Sequence, residues 1–145
     1  MTDKIPYLTA AGRRLEYAWW GEPPVAERPA LVFLHEGLGC VDMWRDVPET
    51  LAGLTGLPAF AYSRAGYGRS EGIPLPRPAD YHAPEAYDVL PAVLDAAGIL
   101  TDQRNTLEIV ILIGIGLDFC VCGGIEYCNV RLVGGLEIAV QALKS

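Results

Sequence analysis

Residues 31–70, LVFLHEGLGCVDMWRDVPETLAGLTGLPAFAYSRAGYGRS, decide the fold. The run Leu31-Val32-Phe33-Leu34 is apolar without interruption and breaks into a glycine-bearing turn, His35-Glu36-Gly37-Leu38-Gly39. A second apolar run, Ala59-Phe60-Ala61-Tyr62, breaks into another, Ser63-Arg64-Ala65-Gly66-Tyr67-Gly68-Arg69-Ser70. Short continuous apolar runs suit strands covered on both faces. Between them Met43, Val47, Leu51 and Leu54 fall at helical spacing on one face. Asp42 is placed to cap the start of that helix and Gly56 to end it, while Pro48 and Gly53 weaken it. Strand, loop, helix, strand is a βαβ unit, which predicts parallel strands joined by a right-handed crossover. Both glycine turns then leave the same rim of the sheet.

Outward from this unit, the N-terminal part reads as a β-hairpin. Tyr7-Leu8-Thr9 and Arg14 to Trp20 flank the turn Ala10-Ala11-Gly12-Arg13. In the second arm Leu15, Tyr17 and Trp19 alternate with Arg14, Glu16 and Ala18, the two-residue period of a half-buried strand, which points Glu16 outward. Residues 21–29 (GEPPVAERP) and 72–83 (GIPLPRPADYHA) are proline-rich connectors. Pro84 fits the first turn of a helix that carries Val89, Leu90, Val93 and Leu94 and ends at Gly98. Pro91 inside it costs about 3 kcal/mol or kinks it. Leu107 to Gly114 (LEIVILIG) is the next strand. The predicted class is α/β: a single domain over residues 1–145, with a parallel-rich sheet, an N-terminal antiparallel hairpin and helices packed on it.

Composition narrows the function classes. A chain of 145 residues is long enough to bury about 68–70% of its unfolded surface. It is 51% hydrophobic and 20% charged, which is globular and not disordered. Eighteen acidic against 11 basic residues leave a net charge of −7, which disfavours nucleic acid and anionic membrane as partners. The start, MTDKIPYL, lacks a basic and then apolar leader, so no secretory signal is expected. Four cysteines, Cys40, Cys120, Cys122 and Cys128, then read as reduced thiols of a cytoplasmic protein. The greasy stretch Ile109 to Ile125 is broken by Asp118 and four glycines, so a membrane span is not expected. The C-x-C-x5-C spacing of the late cysteines lacks a paired C-x2-C or a nearby histidine, so no metal is expected.

The two glycine turns carry a resemblance. His-x-Gly-x-Gly after a buried strand resembles the oxyanion loop of the α/β-hydrolases, and Ser-Arg-x-Gly-x-Gly-x-Ser resembles that family's companion turn. The resemblance covers about residues 1–100 and implies an incomplete α/β-hydrolase-like core acting on a small-molecule ester or amide, without a cofactor. Acyl transfer builds negative charge on a carbonyl oxygen, which preorganised backbone N–H groups stabilise by about 2.7–4 kcal/mol per donor. By resemblance the donor lies among Glu36, Gly37 and Leu38, with His35 and Trp44 beside the substrate. Read from the residues alone, His35 is equally a satisfied turn histidine and Trp44 a core residue. Ser63 and Ser70 stand at no sharp strand-to-helix elbow and are not nucleophile candidates.

After the strand at 107–114 the family's pattern stops. Residues 115–124, IGLDFCVCGG, contain no serine, and both histidines, His35 and His82, lie upstream, whereas the triad needs nucleophile, acid and histidine in that chain order. Two cysteine readings remain. Cys122 fills the elbow position, as in dienelactone-hydrolase-like members. Alternatively, residues 114–121 resemble the nucleophile strand of nicotinamidase- and isochorismatase-like cysteine hydrolases, with Cys120 as nucleophile; that family's early aspartate and mid-chain lysine find no match here. Against both stands the plain reading of cysteines as small buried hydrophobes. Residues 101–145 are therefore a strand-rich tail with three open accounts: a truncated or frameshifted hydrolase, a junction of two hydrolase fragments, or a non-catalytic α/β domain that forms homo-oligomers through the edge of an unfinished sheet.

Overall fold

In the computed structural model, residues 6–23, 30–35, 37–99 and 109–113 are described, the last of these as backbone. Strands β1 (Tyr7–Ala10) and β2 (Arg13–Trp20) form the expected hairpin. Its tip places Ala11 and Gly12 at φ 49° and 72°, the doubly left-handed turn that matches the twist of paired strands. Strands β3 (Ala30–Leu34) and β4 (Ala59–Tyr62) are the two apolar runs, parallel and in register from Leu31↔Ala59 to Leu34↔Tyr62. Strand β5 (Ile109–Ile113) runs parallel to β3 on its other side. The order is β1-β2-β4-β3-β5. Among the described residues the sheet is mixed: β4, β3 and β5 are parallel, but β2 lies antiparallel to β4 as well as to β1.

Helices cover both faces, which is why β3 and β4 are apolar on both sides. One face of the sheet packs Leu8, Leu15, Val32 and Phe60 against Val93 and Leu94 of α3 (Leu90–Ala96). The other packs Leu31, Phe33, Ala59 and Ala61 against Leu51 of α1 (Val47–Thr55). Phe33 and Phe60 have no exposed surface; burying an aromatic or aliphatic side chain of this size stabilises by about 1.5–3 kcal/mol. The crossover between β3 and β4 is therefore present, with α1 as its helix.

Four local expectations are corrected. Asp42 does not cap α1: it lies in a separate 3-10 turn (Val41–Trp44), and the residue before α1 is Asp46. Because α1 begins at Val47, Pro48 occupies its first turn, where a missing N–H costs nothing, so the proline starts the helix rather than weakening it. Met43 and Leu54 are 63% and 58% exposed, so the buried face of α1 runs through Pro48 and Leu51 instead. Finally, Glu16 is 2% exposed, against the outward position read from alternation. The turn after β4 folds back over β2 and encloses it.

The second helical run comes in three pieces: α2 (His82–Pro84), a π-helical turn (Glu85–Val89) and α3. Pro91 has no N–H to give Tyr87 and its ring crowds that carbonyl. The preceding turn widens, and the Leu90 N–H donates to the Glu85 carbonyl five residues back. The predicted kink takes this form.

Candidate active site

The last residues of β3 and β4, Leu34 and Tyr62, are register partners, so the chain leaves both strands at one rim. There the two glycine turns are bonded to each other. The Arg64 backbone N–H donates to His35 Nε2 at 2.9 Å, and Arg64 Nη2 donates to the His35 carbonyl at 3.2 Å. A nitrogen that accepts from an amide carries no proton; Arg64 Nη2 also lies 3.4 Å from Nδ1, a contact whose sense depends on the ring tautomer. His35 is 6% exposed, and its ring lies 5.1 Å from the Tyr67 ring. His35 is thus fastened to the neighbouring turn, with the lone pair a general base needs already used.

Of the predicted anion-loop residues, Gly37 has open space where a side chain would stand, and Leu38 is 90% exposed at the rim. Glu36 lies outside the described residues, as do Cys120 and Cys122, so the nucleophile readings and the isochorismatase-like stretch have no coordinates to be set against. Trp44 packs edge-on against Phe33, with ring centroids 5.0 Å apart, and belongs to the core beneath α1; its Nε1 is buried without a partner.

The turn after β4 rests on a carboxylate that sequence reasoning missed. Glu16 Oε2 accepts from Ser63 Oγ and from the Arg69 amide, both at 2.9 Å, and Glu16 Oε1 accepts from Arg69 Nη1 at 2.8 Å. Arg69 Nη1 also pairs with Asp42 Oδ2 at 2.9 Å, so Arg69, with its side chain 48% exposed, bridges two carboxylates. Ser63 Oγ accepts the Val41 N–H at 2.9 Å, which ties the first turn's downstream end to the second. Ser70 Oγ accepts the Glu16 N–H at 2.9 Å and donates to the Ser63 carbonyl at 2.6 Å. Both serine hydroxyls are occupied structurally. Burial works to raise the Glu16 pKa, but the Arg69 amide, the Ser63 hydroxyl and the Arg69 guanidinium together hold its carboxyl below the usual range. Gly68, at φ 52°, passes so close that a Cβ there would collide with Glu16 Oε2 and lie 2.7 Å from Ser63 Oγ.

A second charged group flanks the same rim. Arg64 and Arg77 guanidiniums stand 5.3 and 5.1 Å from the Tyr67 ring, and Arg77 lies 4.5 Å from the Tyr81 ring as well. Burial pushes the Glu85 carboxyl upward, against the pull of Arg64, Arg77 and His82. Burial likewise pushes the Tyr62 hydroxyl well above its usual value, with Glu85 adding to it. A cavity of about 500 Å³ opens beside this group between the β1–β2 turn, the proline-rich connector and the π turn, and is walled in part by Leu15, Ile73, Arg77 and Val89. Among the described residues, neither Gly37 nor Trp44 lines it.

Chemically, the described residues bond the His35 turn to the turn after β4 and show no paired acid and base among themselves. Among them no three His, Cys, Asp or Glu side chains are grouped to hold a metal ion, and no helix is long and apolar enough to cross a membrane.

No family model and no curated protein matches the sequence. Solved structures do match. The haloalkane dehalogenase DatA from Agrobacterium tumefaciens is 20% identical with a TM-score of 0.53, over 76% of this chain and 32% of that one. The epoxide hydrolase VrEH1 from Vigna radiata is 18% identical at 0.53, over 76% and 31%. The haloalkane dehalogenase DbeA from Bradyrhizobium elkani is 25% identical at 0.50, over 66% and 30%. The chain thus spans about a third of the length of the structures it matches. Likeness at this level speaks to architecture, and together with the strand order and the joined rim turns it shows that the described residues form part of an α/β-hydrolase fold.

Proposed function

We propose that this chain is a hydrolase-like protein that carries the anion-stabilising part of an ester- or amide-cleaving site, with backbone N–H groups of the Glu36–Leu38 loop facing the oxyanion. The observation that supports it is the bond from the Arg64 amide to His35 Nε2, which fixes the loop at the strand rim before any substrate arrives. Preorganisation of that kind is the larger part of anion-hole catalysis. The nucleophile in this reading is the thiolate of Cys122, with Cys120 the alternative. The thiolate attacks the ester carbonyl carbon, the alkoxide leaves, and water releases the acid from the thioester. His35 serves as support for the loop, because its Nε2 lone pair is committed.

The test is p-nitrophenyl acetate turnover at pH 8.5, where an ordinary thiol is half ionised. Turnover abolished by Cys122→Ser and kept by Cys120→Ser is the expected result; the reverse moves the role to Cys120. A rate in the parent chain no higher than that of the double Cys→Ser variant contradicts thiol catalysis. Haloalkanes and epoxides, the substrates named for the similar structures, are the alternatives to assay beside the ester.

A further inference from the structure

The cavity beside the π turn takes no part in the chemistry above. Its volume of about 500 Å³ falls within the roughly 300–1,000 Å³ of small-molecule sites. Leu15, Ile73, Val89 and the connector prolines make most of its wall apolar. Four charged residues also reach it, Arg13, Arg77, Asp80 and Glu85, two of each sign. Arg13 is already engaged: it pairs with Glu71 at 3.4 Å and donates to the Gly72 carbonyl at 3.2 Å. Asp80 is exposed to water. Arg77 is held in place, with its guanidinium 5.1 and 4.5 Å from the Tyr67 and Tyr81 rings and its Nη2 donating to the Ala65 carbonyl at 2.7 Å. Its Nη1, however, is buried with no hydrogen-bond partner, and so is Glu85 Oε2. Among the described residues neither Arg77 nor Glu85 enters an ion pair. An apolar cavity thus carries one unmatched donor and one unmatched acceptor on its lining residues. Each has lost its hydration without a bond in return, so each favours an incoming partner.

We propose that this cavity binds an uncharged, mainly apolar small molecule whose polar end accepts from Arg77 Nη1 and donates to Glu85 Oε2, as a hydroxyl does. The apolar body lies along Leu15, Ile73 and Val89. Charge sets the selectivity. The four charged wall residues balance, so an ionised end gains from one partner and is repelled by the other: a carboxylate meets Glu85, an ammonium meets Arg77. A neutral end that both donates and accepts satisfies the two together. The carboxylate torsion of Glu85 is soft, which lets Oε2 turn from the wall toward the ligand while the aromatic rings and the Ala65 carbonyl keep Arg77 fixed. This site does not rest on the ester-cleaving reading and uses none of its residues.

The experiment titrates the full ¹⁵N-labelled chain at about pH 7.5 with three probes that differ only in the polar end: 4-phenylbutan-1-ol, 4-phenylbutanoate and 4-phenylbutylamine. Amide shifts locate the binding and give its affinity. The alcohol is expected to bind saturably, with shifts at Ile73, Arg77 and Val89, and about tenfold or more tighter than either ion. Glu85→Gln keeps an acceptor oxygen and removes the charge. It is expected to leave the alcohol within about threefold of the parent and to tighten the carboxylate about tenfold, because the repelling group is gone while Arg77 remains. A carboxylate that gains nothing in a folded Glu85→Gln chain overturns the assignment. So does a parent chain that binds the three probes equally, prefers an ion, shows its shifts away from these residues, or binds none of them. Where Glu85→Gln loses its amide dispersion and does not fold, the ranking of the three probes in the parent decides alone.

Discussion

Glu16 is the residue whose structural weight exceeds what its sequence position announced. The alternation Leu15, Tyr17, Trp19 is local and could be read from neighbours; the burial of Glu16 depends on Ser63, 47 residues away, and could not. His35 was legible as a turn histidine for the opposite reason, since its strand and glycines are adjacent in the chain. The network makes a pH prediction. The folded-state pKa of Glu16 lies below its unfolded value, so its contribution to stability is fully present above the unfolded value of about 4.3 and is lost as pH falls through the lower folded value. Glu16→Gln is expected to lose about 2 kcal/mol at pH 7, since charge-assisted bonds at a nearly inaccessible site are removed. The gap to the parent is expected to narrow at pH 3. Urea unfolding at the two pH values measures both, and an equal gap at each would show that the carboxylate charge is not what holds the turn.

At the scale of elements, the helix ends were read better at their C-termini than at their starts. Gly56 stops α1 in a left-handed conformation, φ 69°, with its N–H on the Ala52 carbonyl. Glycine is favoured there for backbone reasons alone, because a Cβ would meet nothing within 4 Å. Gly56→Ala is therefore expected to destabilise by about 1 kcal/mol through strain and not through packing, which thermal unfolding reads as a lower Tm. An unchanged Tm would contradict the cap. The start of α1 was misplaced because Asp42 satisfies the local rule for a cap, while Arg69, which is distant in the chain, claims its carboxylate instead. Pro48 was misjudged for want of the true start. Pro91 was legible as a disturbance, but the widened turn that absorbs it follows from how α3 must still lay Val93 and Leu94 on the sheet.

For the whole molecule, the βαβ unit is the part that short-range pattern determines: two apolar runs, one helix and two glycine turns within 40 residues are enough to set a parallel pair and a common rim. The place of β2 beside β4 is non-local pairing, to which no run of neighbouring residues testifies, and so among the described residues the parallel-rich sheet is found only in part, with two parallel and two antiparallel strand pairs. Residues 114–145, which carry the cysteine readings, lie outside what the structure describes. The central claim is that the His35–Gly39 and Ser63–Ser70 turns leave neighbouring parallel strands at one rim and are bonded there. Its most direct measurement is a NOESY experiment on the labelled chain. The expected result is cross-peaks from the His35 ring to the Tyr67 ring and the Arg64 amide, together with inter-strand contacts in the parallel register Leu31↔Ala59 to Leu34↔Tyr62. A His35 ring with no contact to either residue, or strands found antiparallel, would contradict it.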